Sequence, residues 1–215
     1  MTLRIADRVV VFDYGEVISL EPNEADRAAL VAIAGIDAEA FWASYWVHRD
    51  GLDRGTVSVV EYWKLIADDT GAAWPASTVQ RLWAADFTSW ISVEPGTIDL
   101  IAELHAGGTR VALLSNAGFD FAGPFRFSPM AQFFERMFVS AEMRDLKPDP
   151  SIYLEVSDEL GITPEQMVFI DNKKINTDAA AALGATVHHF VHVDGLRRFL
   201  TALADLVRRP HPGDQ

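Results

Sequence analysis

Four short stretches carry polar residues whose types could act together on a tetrahedral anion. They are Asp13 with Gly15, Ser115 with Asn116, Lys147, and Asp171 with Asn172. A hydroxyl, an amide and an ammonium together suit an oxyanion such as phosphate. Asp13 is the candidate nucleophile, attacking to form an aspartyl-phosphate. Carboxylates at Asp13 and Asp171 suit a divalent hard cation that shields nucleophile and phosphate from each other. Lys147 would neutralise charge in the intermediate. Each stretch has a plainer reading: a solvated Asp at a strand end, an ordinary turn, a solvated loop cation. The company and order of the four favour the chemistry.

The elements that must position them follow from periodicity. Val9 to Phe12 is a β-branched, wholly apolar run, which suits a strand buried on both faces of a parallel sheet. It delivers Asp13 where open α/β sheets place ligands, and Gly15 is expected to turn the backbone sharply there. Further strands are expected at Thr109–Leu114, Arg136–Ser140, Met167–Ile170 and Thr186–Val191. Helices are expected at Thr97–His105, after Lys147-Pro148-Asp149-Pro150 through Leu160, in the Ala-rich run closing at Gly184, and at Gly195–Val207. Strands alternating with helices imply a parallel, doubly wound sheet.

Between Asn23 and Trp90 the pattern is helical instead. Asn23, Asp37 and Ser58 are candidate helix caps, the last in a Ser-x-x-Glu capping-box pattern, and a fourth helix runs over Ala76–Trp90. His48 to Gly55 reads as a polar, Gly-punctuated loop. All six tryptophans fall between Phe41 and Ile91, as the core of a small bundle would place them. Tyr14, Trp46 and Arg49 are the candidates for substrate contact, with Arg49 facing an anion. His188 and His192 would share a strand face and His189 the other; a half-exposed strand end explains them better than a metal site.

Composition bounds the rest. The chain has 215 residues, 49% hydrophobic and 23% charged, enough for a substantial core. It has no cysteine, which excludes disulfides, thiolate metal sites and Cys nucleophiles. A formal net charge of −13 argues against nucleic acid and anionic membranes as partners. Neither a membrane-length apolar run nor a signal-peptide pattern is evident, so a cytoplasmic location is expected. The Arg208–Gln215 tail is expected to fray.

In this order the residues resemble the haloacid dehalogenase (HAD) superfamily. Phe12-Asp13-Tyr14-Gly15-Glu16-Val17 is similar to its first motif and Leu114-Ser115-Asn116 to its second. Lys147-Pro148-Asp149-Pro150 is similar to its third, and Phe169-Ile170-Asp171-Asn172 through Asn176 to its fourth. The resemblance implies a Rossmann-like core over 1–16 and 95–215, with a helical C1 cap over 17–94. It implies a magnesium-dependent phosphatase of a small phosphorylated metabolite, monomeric or homodimeric. Asp13 would be the nucleophile; Asp13, the Gly15 carbonyl, Asp171 and Asn172 would surround Mg2+; Ser115, Asn116 and Lys147 would bind the phosphoryl group. Two departures stand out. Gly15 occupies the place of the usual second Asp, as in a subgroup similar to sugar-phosphate phosphatases. Asn172 replaces a magnesium-binding Asp, which predicts weaker magnesium binding. Two alternatives remain open: a metal-free 2-haloacid dehalogenase, using a cap arginine for the carboxylate, and a binding protein that has lost turnover.

Overall fold

The computed structural model describes residues 3–208. Five parallel strands lie in the order β3-β2-β1-β4-β5: β1 (Val9–Phe12), β2 (Arg110–Ser115), β3 (Arg136–Val139), β4 (Met167–Asp171) and β5 (Thr186–His189). Every residue of β1 is buried, because the strand is central and helices cover both faces. Alternate residues feed two cores. Val10 and Phe12 join Leu100, Leu104 and Leu200 on one side; Val9 and Val11 join Ile152, Val156 and Phe169 on the other. Strands β2 and β4 flank β1 on opposite sides, so the chain reverses its winding direction at β1. The crevice at that reversal is where such sheets bind ligands.

Along the chain four helices follow β1 before the next core element: α1 (Glu24–Ala34), α2 (Ala38–Asp53), α3 (Val59–Thr70) and α4 (Ala76–Ser89). They bury their own cluster around Phe41, Tyr45, Trp63 and Leu82. The two connections to this unit are paired by an antiparallel bridge between Ser19 and Val93. The caps behave as their sequences require. Asn23 accepts from the Ala25 and Asp26 amides and receives Asp26 in return, a complete capping box. Ser58 accepts from the Glu61 amide at 3.2 Å. Such a cap contributes about 1 kcal/mol.

The expected polar loop at His48–Gly55 is mostly helix. Helix α2 runs to Asp53 through Gly51, because Leu52 is buried in the bundle and Arg49 pairs with Asp53 one turn on. Burial and an i,i+4 ion pair offset the roughly 1 kcal/mol cost of an internal glycine. Gly55 does end the element: its φ is 72°, and a Cβ there would lie 2.6 Å from the Ala141 carbonyl oxygen.

The remaining helices are α5 (Pro95–Ala106), α6 (Phe119–Phe127), α7 (Ser140–Met143), α8 (Pro150–Leu160), α9 (Lys174–Ala182) and α10 (Val193–Arg208). Neither α6 nor α7 was expected. Gly123 and Pro124 mask α6, yet Phe121 and Phe125 are buried four residues apart on one face. Residue Ser140 begins α7 rather than ending β3. Strand β5 stops at His189, so His192 shares no strand face with His188: His188 stacks on Phe199, and His192 Nδ1 accepts from the Gly195 amide. Of the tail expected to fray, 209–215 lie outside the described residues.

Candidate active site

Asp13 follows directly on β1. Its amide donates to the Ile170 carbonyl at 2.9 Å, so the sheet ladder itself fixes its backbone. Lys147, in the loop before α8, reaches the same point and spends all three of its donors. It pairs with Asp13 Oδ1 at 2.7 Å and Asp171 Oδ2 at 2.8 Å, and donates to the Leu114 carbonyl at 2.9 Å. Burial alone would lower the Lys147 pKa, but the two carboxylates outweigh it and raise it, so the ammonium stays charged. Burial pushes Asp13 up to about 6 against the pull of Lys147. The ammonium beside it favours the ionised carboxylate. Its Oδ1 also accepts the Tyr14 amide at 2.7 Å. Among the described residues no donor holds Oδ2.

A cleft of about 250 Å³ opens over this oxygen, lined by Asp13, Gly15, Ser115, Lys147 and Asn172 below and by Trp46, Arg49, Asp50 and Asp53 above. Ser115 is buried at the end of β2, and no described group takes its hydroxyl. The structure thus brings Asp13, Gly15, Ser115, Asn116, Lys147 and Asn172 to one place, together with Tyr14, Trp46 and Arg49 on the walls.

Four expected roles change on closer geometry. The Asn116 side chain does not face an anion freely: Nδ2 donates to the Lys147 carbonyl at 2.9 Å and Oδ1 accepts the Lys147 amide at 3.0 Å. It pins the Lys147 loop. Asp171 is fully buried and not an open ligand, because Lys147, Asn176 and the Lys173 amide occupy its two oxygens at 2.8, 3.0 and 2.7 Å. Tyr14 gives its hydroxyl to the Trp90 carbonyl at 3.0 Å and its ring to Phe125, and burial pushes its pKa up to about 12. It is a wall rather than a polar contact. Arg49 is held by Asp53 at 3.0 Å and Asp86 at 3.3 Å, so it is not free to meet an anion. The sharp turn is also displaced: Glu16, not Gly15, takes the left-handed conformation, with φ 57°.

A divalent cation fits the residues present. Asn172 Oδ1 is shut off from solvent with no donor, an acceptor whose partner is missing. The residue Asn172 lines the same cleft as Asp13 and Gly15, and amide, carbonyl and carboxylate oxygens are the ligands hard cations take. Sequence reasoning missed Glu16, Asp53, Trp90, Phe121, Phe125 and Lys173 as lining residues. The Phe121–Phe125 spacing, the polar stretch that holds Asp53 and the first motif that holds Glu16 were signals that could have found some of them.

The helical unit is tied to the sheet beside this cleft. Ser140 Oγ donates to the Asp53 carbonyl at 2.6 Å. Arg54 pairs with Asp145 at 3.0 Å and Asp149 at 2.8 Å, and Arg144 donates to the Gly55 carbonyl.

A family model for haloacid dehalogenase-like hydrolases matches residues 8–185. The chain belongs to this family. A phosphoglycolate phosphatase of Salmonella paratyphi A is 33% identical over 91 residues, 42% of this chain and 36% of that protein. The chain thus matches little more than a third of that relative's length. A phosphoglycolate phosphatase of Pseudomonas putida is 31% identical over 192 residues, 82% of this chain and 66% of that protein. A HAD family enzyme of Bacteroides thetaiotaomicron, solved with magnesium and inorganic phosphate, superposes with a TM-score of 0.69 at 21% identity. That superposition covers 84% of this chain and 92% of the other. At that identity it shows the fold: a HAD core of five parallel strands with helices on both faces.

Proposed function

We propose that the chain is a magnesium-dependent phosphatase that hydrolyses a small phosphomonoester through an aspartyl-phosphate on Asp13. The observation that carries this reading is the setting of Asp13: fixed through Oδ1 by Lys147 and the Tyr14 amide, with Oδ2 left without a donor at a cleft that Ser115 also lines. Asp13 Oδ2 attacks phosphorus, and the bond from phosphorus to the leaving oxygen breaks. Ser115 donates to a phosphoryl oxygen, and Lys147 holds the carboxylate in line and offsets the charge of the phosphorylated state. Asp13, the Gly15 carbonyl and Asn172 Oδ1 are the groups that would hold magnesium, which supplies charge neutralisation between carboxylate and phosphate. Water attack on the acyl-phosphate then releases phosphate and restores Asp13.

The walls narrow the substrate. A cleft of about 250 Å³ admits a small ester only. Arg49, the arginine that lines the cleft, is committed to Asp53 and Asp86. That disfavours a leaving group bearing a carboxylate. It also removes the anchor that the 2-haloacid dehalogenase alternative needs. Gly15 brings no acid to the leaving oxygen, which favours esters of the more acidic alcohols, whose oxygens depart without full protonation.

The test is phosphate release from a panel of small esters, including phosphoglycolate, a sugar 1-phosphate and aryl phosphates, with and without magnesium. Magnesium-dependent turnover that rises steeply with leaving-group acidity is expected. Absence of turnover across the panel refutes the phosphatase. Gly15→Asp sharpens the argument. The nearest side-chain atom to a Cβ there is Trp90 Cζ3 at 4.0 Å, so the space is open. The added carboxyl should speed poor leaving groups by about tenfold or more and flatten the dependence.

A further inference from the structure

Glu16 holds an unusual backbone. Its φ of 57° lies in the left-handed region, which glycine, asparagine and aspartate enter readily and glutamate does not. The turn is imposed around it: the amides of Ile18 and Ser19 both donate to the Tyr14 carbonyl, at 2.9 and 2.8 Å, and the Glu16 amide donates to Ser19 Oγ at 3.1 Å. A glycine would meet this turn at less cost. What the glutamate adds is its side chain, and that side chain goes to Asn172: Asn172 Nδ2 donates to Glu16 Oε2 at 3.0 Å. From the other side, the Asn172 carbonyl meets His189 Nε2 at 2.8 Å. Asn172 is thereby held at both its backbone and its amide.

An amide is ambiguous as a metal ligand. It can present oxygen, which ligates, or NH2, which repels a cation, and the two orientations have nearly the same shape. A carboxylate is an acceptor only, so it selects one of them. With Nδ2 bound to Glu16, Oδ1 is the atom turned inward, and it is the one shut off from solvent without a donor. An aspartate at this position would need no such selection, since its two oxygens are equivalent.

We infer that Glu16 is a positioning residue for the cation site, locking the Asn172 amide with its oxygen inward. The inference rests on the magnesium reading above. The left-handed glutamate and the replacement of the acidic ligand by asparagine are two halves of one device: the amide ligand works because the neighbouring carboxylate orients it. Outer groups that orient a metal ligand are worth about tenfold or more in metal affinity.

Magnesium binding measured calorimetrically on the full chain, with no substrate, tests this. Four proteins are compared: wild type, Glu16→Gly, Asn172→Asp, and the double variant. Glu16→Gly relieves the left-handed backbone, so its melting temperature without magnesium should hold or rise. Its magnesium Kd should nevertheless weaken about tenfold. In the Asn172→Asp background the same change should move Kd by less than about twofold, because no amide remains to be oriented. Equal weakening in both backgrounds would reduce Glu16 to a nearby charge and overturn the inference. So would an unchanged Kd in both. If neither wild type nor Asn172→Asp binds magnesium, the magnesium reading itself falls and the inference with it, an outcome distinct from the other two.

Discussion

Two buried cations, each between two carboxylates, border the cleft from opposite sides. In the sheet unit Lys147 joins Asp13 and Asp171; in the helical unit Arg49 joins Asp53 and Asp86. The local chemistry is similar, and burial is the first cause acting on the carboxylates of both, raising Asp13 and Asp53 to about 6. The difference is closure. Around Arg49 the contacts form a ring: Arg49 donates to the Tyr45 hydroxyl at 2.7 Å, and that hydroxyl donates to Asp86 Oδ1 at 2.7 Å. Around Lys147 no such ring forms. Asp13 Oδ2 takes no donor from the described residues, and neither does Asp53 Oδ2 on the facing wall, so what sets Asp13 apart is its place at the end of β1 in the part of the cleft that Ser115 and Asn172 also line. A buried ion ring shared between helices holds them together. A network at a strand end that leaves a charged oxygen facing a cleft can do chemistry.

That contrast can be broken by experiment. Asp13→Asn should reduce phosphate release at least about a thousandfold while the protein stays folded, since it removes the attacking oxygen. Asp53→Asn should cost less than about tenfold; equal losses would erase the distinction between the clusters. Arg49→Met should destabilise by roughly 3–5 kcal/mol in urea unfolding, because it strands two buried carboxylates. In what remains folded, KM for an ester with an uncharged leaving group should be nearly unchanged. A large rise in KM with little loss of stability would return Arg49 to the role of substrate contact.

Smaller effects sharpen the comparison. Burial, opposed by Arg49, raises Asp53 from its ordinary 3.8 to about 6, so the folded protein binds this proton more tightly than the unfolded chain. The stabilisation is present below pH 4 and fades as pH rises through about 6. Asp53→Asn should therefore flatten the pH dependence of the urea midpoint between pH 4 and 6. The smallest change is expected at Trp46, which is 56% exposed on the cleft wall. Trp46→Ala should alter stability by about 0.5 kcal/mol or less, and its effect should appear as a modest rise in KM.

Much of both units was legible in the chain because their signals are local. The run Val9–Phe12 announces a central strand by composition alone, and the Asn23 and Ser58 caps announce helices by residues three apart. Order along the chain then brings Asp13, Ser115, Lys147 and Asp171 to the same ends of parallel strands, since right-handed crossovers leave little choice. Helix α6 was hidden because Gly123-Pro124 is a breaker signal that burial of Phe121 and Phe125 overrides.

What each charged side chain touches belongs to the tertiary structure. The partners of Lys147 are 134 and 24 residues away, Arg49 meets Asp86 across two helices, and Glu16 meets Asn172 across the sheet. Residue type and period say which face a side chain occupies, but ion pairing depends on distances of 3 Å or so, which only packing sets. Hence the proposed nucleophile Asp13, the lysine and the parallel core could be read from the sequence. The structure alone decided that Asp171 serves the lysine, that Arg49 is closed to an anion, and that a left-handed glutamate holds the amide at Asn172.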